Sequence, residues 1–160
     1  MLSGLLLVIA IWPLAGSALN PVARSCTVRQ DEGRLVLSDI GRDSAVYFRG
    51  LSLDPHVAGS LILKYRAVGT GKGGGQLYYM WNGSPCSDSR KWRLPPLVAD
   101  GSWHLLKLDK SALVNPKSWQ GGGLITELRL DVCDEAGGRV EIAEFGFPEP
   151  TEQRVKGKCE

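Results

Sequence analysis

The chain has 160 residues, a formal net charge of +2 and four cysteines, a length that suits one domain able to bury its own core. The charge is close to balance and no basic block appears, so the electrostatic footprint of a nucleic-acid binder is missing and nucleic acid is excluded as a partner. The C-terminal run RVKGKCE is basic but short and reads as a solvated tail.

At the amino terminus, MLSGLLLVIAIWPLAGSALN carries an unbroken apolar run from Leu5 to Trp12. That run is too short to cross a hydrocarbon core of about 30 Å as a helix. Pro13 and small residues follow, with Gly16 and Ala18 at the −3 and −1 positions of a cleavage site. Residues 1–18 are therefore expected to be a secretory signal, although the segment before the apolar run has no Lys or Arg. The remaining 19–160 reads as a single domain with its core over about 25–147. A secreted protein, extracellular or periplasmic, is implied, with no membrane span after removal of the leader.

Beyond the leader nearly every periodic segment has period two. The shorter candidates are SCTVRQ, RLVLSD and AVYFRG. In GSLILKYRA (59–67), Leu61, Leu63 and Tyr65 fall on one face, with Ile62, Lys64 and Arg66 on the other. GQLYYMWN (75–82) divides into Gln76, Tyr78 and Met80 against Leu77, Tyr79 and Trp81. SWHLLKLD (102–109) sets His104, Leu106 and Leu108 opposite Trp103, Leu105 and Lys107. LITELRLDV (124–132) predicts Leu124, Thr126, Leu128, Leu130 and Val132 inward, with Glu127, Arg129 and Asp131 outward as a solvated charge ladder. In VEIAEFGF the apolar phase slips between Ile142 and Ala143, the mark of a bulge or of a strand leaving a sheet. Gly-rich turns separate these segments, among them GTGKGGG (69–75), NGSP (82–85), NPKSWQGGG (115–123) and EAGG (135–138). No window has helical periodicity over ten residues. About eight or nine half-buried strands in one domain predict an all-β fold, a two-sheet antiparallel sandwich of the jelly-roll kind.

The even cysteine count behind a signal predicts two disulfides among Cys26, Cys86, Cys133 and Cys159, with three pairings open. Cys26 with Cys159 is preferred because they bracket the folded region, leaving Cys86 with Cys133. No C-x-x-C spacing occurs, and neither His56 nor His104 joins the cysteines in a ligand array, so no zinc site is expected.

Several segments of the second half resemble a family pattern. DGSWH (100–104) has the form of a D-G-x-W-h turn that opens a strand. SWQGGGLITELRLDV (118–132) and RVEIAEFGF (139–147) match a later W-x-G-x-I-x-x-L-R-L-D segment and a closing V-x-I-D-x-I-x-F strand. Over about 59–147 the chain resembles the galactose-binding-like jelly rolls of carbohydrate-binding modules in secreted bacterial proteins. That resemblance implies a β-sandwich without catalysis and a glycan or polysaccharide partner. The family often carries Asp at a calcium-linked position in the closing strand, where this chain has Ala143 and Glu144. Hence no cofactor is expected, and a structural calcium has no clear motif.

Candidate chemistry agrees with a binding role. Glu127 and Asp131 share a strand face but alternate with Arg129, and no other carboxylate pair suggests glycosidase chemistry. Ser102, His104 and Asp109 lack a G-x-S-x-G elbow, and GTGKGGG lacks the G-K-[ST] step and following helix of a phosphate cradle. His104 reads as a hydrogen-bonded edge residue, His56 as a surface one, and Trp119 as a cap at one end of the sandwich. Sugars stack their C–H faces on aromatic rings while planar polar groups meet their hydroxyls. QLYYMWNGSPCSDSRKW (76–92) is the densest mixture of such groups. Its Gln76, Tyr78, Trp81, Asn82 and Trp92, with Arg66 and Lys64 from the preceding strand, form the predicted ligand surface. The alternative partner is another extracellular protein, with the sandwich serving as an interaction or structural module.

Overall fold

The computed structural model describes residues 21–148 and the backbone of 8–12. The remainder of the leader, Cys159 and the basic tail lie outside the described residues. Two antiparallel sheets face each other, as the period-two segments predict. The first has the order β3 (Thr27–Asp31), β4 (Arg34–Ser38), β11 (Arg139–Pro148), β6 (Leu61–Val68) and β9 (Asp100–Leu108). The second has the order β2 (Val22–Arg24), β5 (Ala45–Leu53), β10 (Ile125–Asp131), β7 (Gly75–Trp81) and β8 (Lys91–Leu94). A further strand, β1 (Val8–Trp12), pairs antiparallel with β11, from Val8 opposite Pro148 to Trp12 opposite Phe145. This brings part of the segment read as a leader against the first sheet.

Both sheets turn their apolar sides inward. Leu61, Leu63 and Tyr65 from β6 meet Leu77 and Tyr79 from β7, Phe48 from β5 and Leu128 and Leu130 from β10 in one core cluster. At one end the rings close up: Trp119 stands edge-on to Tyr79 at 4.8 Å and to Trp92 at 5.3 Å, with Phe147 at 5.3 Å. Trp119 arrives on α1 (Pro116–Gly121), a short helix inside a segment whose composition predicts only a turn. Its local logic is a cap: the Asn115 side chain accepts from the Ser118 N–H, and Pro116 supplies a helix-compatible first residue.

A register shift falls between Arg66 and Val68 where β6 pairs with β9, and two bulges set the phase of β11 and β10. One lies between Ile142 and Glu144, at the predicted slip. The other, between Ile125 and Glu127, is not evident in the alternation. It turns Ile125 into the core at 1% exposure, whereas Leu124, predicted inward, is 53% exposed. The extra residue at Thr126 absorbs the difference, so Leu128 and Leu130 still point inward.

The cysteines correct a prediction. Cys86 and Cys133 are both free thiols. Cys133 is buried in the core cluster, and its sulfur approaches the carbonyls of Gly71 and Gly73 at 3.7 and 3.6 Å. Cys86 is exposed in the loop after β7, on the side of Arg129; burial raises its thiol and Arg129 pulls it back down. The second sheet separates the two sulfurs. Cys26 is likewise a free thiol among the described residues, its sulfur 3.8 Å from the Ala45 carbonyl.

The bulge at Thr126 has a direct consequence for stability. Ile125→Ala is expected to cost about 2–4 kcal/mol, and Leu124→Ala to stay within about 0.5 kcal/mol, both read by urea unfolding. An unbroken alternation gives the opposite order.

Candidate ligand-binding face

One row of side chains crosses all five strands of the second sheet. Val22 of β2 stands opposite Tyr47 of β5, and Tyr47 opposite Arg129 of β10. Arg129 faces Tyr78 of β7, and Tyr78 faces Lys91 of β8. Their chain neighbours Val46, Phe48, Leu128, Leu130, Leu77 and Trp92 are buried in the core. Strand side chains alternate between faces, so the row lies on the outer face.

Rings and cations alternate along this row. The Arg129 guanidinium lies 5.9 Å from the Tyr47 ring centre and 5.2 Å from that of Tyr78. Lys91 Nζ lies 5.3 Å from the Tyr78 ring, and Arg49 lies 5.1 Å from Tyr47. All four distances are within cation–π reach.

The adjacent row is Asp131, Gln76 and Arg93. Asp131 is 5% exposed and accepts two hydrogen bonds from Arg129, through Nε and Nη2, each 2.8 Å. Arg129 Nη2 also donates to Asp43 at 2.9 Å, and Asp43 pairs with Arg24 at 2.8 Å. Burial raises the Asp131 carboxyl above the usual aspartate range, against the opposing pull of Arg129. Arg129 and Asp131 are thus a buried, bidentate pair, whereas Glu127 keeps the cross-strand charge-ladder role read from sequence, 3.2 Å from Arg49 of β5.

A second knot ties β7 to the loop that follows it. The Tyr78 hydroxyl lies 2.6 Å from Gln76 Oε1 and 3.2 Å from Asp88 Oδ1, one hydrogen between two acceptors. Lys91 Nζ donates to the same two oxygens at 2.6 and 3.0 Å. The Gln76 amide N–H donates to Asp134 at 3.2 Å. Hydrogen bonds from Lys91 and Tyr78 hold Asp88 below the usual aspartate range, while burial raises the Tyr78 hydroxyl. Planar amide, carboxylate and guanidinium groups therefore sit fixed beside rings. Such a face suits a polar ligand rich in hydroxyls. Among the described residues no group of three His, Cys, Asp or Glu side chains is placed to hold a metal ion.

Solved structures share this architecture. A glutamate-to-arginine variant of a family 29 carbohydrate-binding module superposes with a TM-score of 0.56 at 12% identity, over 86% of this chain and 88% of that one. A lysine-to-alanine variant of such a module, complexed with cellulohexaose, gives 0.55 at 13% identity, over 86% and 87%. An aspartate-to-alanine variant complexed with mannohexaose gives 0.55 at 12%, over 86% and 88%. The fold is that of these modules. At such identities the likeness shows the fold alone. No protein-family model and no curated relative matches the sequence.

Of the predicted ligand residues, Gln76 and Tyr78 lie together on this face. Trp92 does not: it is fully buried, because its register opposite Leu77 turns it into the core. Trp81 is half-buried in the core phase, stacked on Tyr79 at 6.0 Å with Arg90 over its ring at 4.7 Å. Gly122 packs so close to that indole that a Cβ would overlap it. Asn82 follows in an exposed turn. Trp81 and Asn82 therefore sit at one end of the sheet, off the row. Arg66 and Lys64 belong to the other sheet, since β6 and β7 are consecutive in sequence but not paired. There Arg66 bonds Glu141 at 2.5 Å and lies over Trp103 at 4.9 Å. His104 bonds Asp100 at 2.8 Å, the edge role expected of it.

Sequence reasoning missed Tyr47, Lys91, Arg129 and Asp131 as members of this face. The signal was present in AVYFRG and LRLDV, where polar or amphipathic residues alternate with core ones.

The buried Arg129–Asp131 pair has a testable cost. Arg129→Met leaves Asp131 without its partner and is expected to destabilise by about 3–5 kcal/mol near neutral pH. The Asp131 carboxyl is already raised and rises further without the guanidinium, so the loss shrinks as pH falls and the carboxyl takes up a proton. Urea unfolding across pH 4–8 reads this out, and adding Asp131→Asn is expected to flatten the dependence.

Proposed function

We propose that this chain is a secreted, non-catalytic module that binds a glycan chain across the outer face of the second sheet. The observation that carries the reading is the ring–cation row of Tyr47, Arg129, Tyr78 and Lys91. Tyr47 is the more open of its two rings and supplies a surface for a sugar C–H face. Gln76, Asp88, Lys91 and Arg129 supply donors and acceptors to hydroxyls. Because hydrogen bonds within the protein already hold these groups, little side-chain entropy is lost on binding.

The solved family 29 modules support the reading by chemistry. Variants probing ligand recognition there replace a tyrosine, two lysines, two aspartates and an arginine, one aspartate lying two positions after the arginine. The outer face here offers the same types in Tyr47, Lys91, Asp88, and Arg129 with Asp131. It has one lysine where those variants name two.

Secretion rests on the leader reading of residues 1–18. Strand β1 lies along the part of β11 beyond Ile142, which β4 does not cover, and cleavage would free that edge. Sequencing the amino terminus of the exported protein tests it. A start near Leu19 supports the leader, and an intact Met1 in the mature protein contradicts it.

Calorimetric titration with cellulohexaose and mannohexaose tests the binding role. Tyr47→Ala is expected to weaken association by about tenfold or more with unchanged unfolding. Trp103→Ala, on the opposite sheet, is expected to leave it unaltered. Binding insensitive to Tyr47 contradicts the assignment.

A further inference from the structure

Three asparagines occur in the chain, and the residue after each sorts them. The backbone nitrogen that follows an asparagine can attack its side-chain amide carbon and close a five-membered ring. Asn20 and Asn115 precede Pro21 and Pro116, whose nitrogens carry no hydrogen to lose. Asn82 precedes Gly83, which has no side chain to hinder its own nitrogen.

Local geometry leaves the Asn82–Gly83 pair free to react. Both residues are exposed, at the tip of a turn between β7 and the loop that follows. The Ser84 N–H donates to the Trp81 carbonyl at 2.8 Å, and the Trp81 N–H donates to the Ser84 hydroxyl at 3.0 Å. Gly83 has a φ of +73°, as the third position of a type II turn requires, and a Cβ added there would meet nothing within 4 Å. Among the described residues neither the Asn82 side chain nor the Gly83 N–H is engaged in a hydrogen bond.

The comparable positions are locked. Asn115 Oδ1 accepts from the Ser118 N–H at 3.2 Å as a helix cap. Asp100 precedes Gly101, but an aspartate closes the same ring only through its protonated carboxyl. Asp100 Oδ1 accepts from the Ser102 N–H at 2.9 Å and lies 2.8 Å from His104 Nε2, and these bonds hold the carboxyl below the usual aspartate range.

We propose that Asn82 is a site of spontaneous modification, converted in the folded protein to aspartate and isoaspartate through a ring closed by Gly83. Base removes the Gly83 amide proton, and the nitrogen bonds to Asn82 Cγ. The Cγ–Nδ2 bond breaks, and Nδ2 leaves as ammonia with a proton returned to it. One water then opens either carbonyl–nitrogen bond of the ring, and no other reactant is consumed. Both products carry a new carboxylate. Isoaspartate also adds a methylene to the main chain of the turn, at the root of the loop that carries Asp88 to Tyr78 and Lys91.

Peptide mapping tests this, on folded protein kept in mildly alkaline buffer until a free peptide of sequence 73–90 has converted alongside it. Trypsin releases residues 73–90, in which Asn82 is the single asparagine. That peptide is expected to gain one mass unit, acid for amide, and to split into two chromatographic forms. Residues 111–117, which hold Asn115, are expected to keep their mass. Asn82→Gln, at an exposed position, is expected to abolish both changes with unchanged thermal unfolding, and Gly83→Ala to slow them by about tenfold or more. An unchanged 73–90 peptide from the folded protein overturns the proposal. So does conversion of 73–90 that persists in Asn82→Gln, or equal conversion at Asn115.

Discussion

The outer face of the second sheet depends on the alternation of one central strand. In β10, Leu128 and Leu130 are fully buried in the core, while Glu127, Arg129 and Asp131 point the other way. A slip of one residue would send the leucines to solvent and the charges into the sandwich, a cost no other contact here offsets. The neighbouring strands inherit this constraint through register: Tyr47 from β5 and Tyr78 from β7 face outward because they pair with Arg129. The bulge at Thr126 protects the alternation, taking up the phase difference before the strand reaches Leu128.

Arg129 then does two things at once. Its guanidinium neutralises the buried Asp131 through two hydrogen bonds, which a lysine would not reproduce. It also reaches the rings on both sides, fixing the spacing of Tyr47 and Tyr78 across the sheet. The loop from Asn82 to Arg90 closes the same surface by placing Asp88 against Tyr78 and Lys91. Order on this face therefore comes from the folded scaffold, which is the condition for binding a weakly interacting polar ligand without a large ordering cost.

Much of the architecture was legible because period two is a local property. β6, β7 and β9 show the faces that their sequences predict, and the slip at Ile142 is a bulge. The candidate site was legible only in part, because it is made by strand order. β6 and β7 follow one another and look like a hairpin, yet they enter different sheets, which removes Arg66 and Lys64 from the face. Conversely, β5 and β10 lie far from β7 in sequence but flank the site together. Trp92 was misplaced for a related reason: a four-residue strand shows too little alternation to reveal its inward side without its register against Leu77. The expected Cys86–Cys133 bridge fails because the two residues fall on opposite faces of the second sheet, which cysteine counting does not register.

The central claim is that the outer face of the second sheet, and not the Trp103 side or the Trp81 end, receives a sugar chain. Backbone amide spectra recorded while cellulohexaose or mannohexaose is added test it most directly. The account expects the largest shifts at Tyr47, Gln76, Tyr78, Lys91 and Arg129, with the first sheet unmoved. Shifts confined to β6 and β9 would contradict it, as would saturating binding that leaves Tyr47 and Arg129 unchanged.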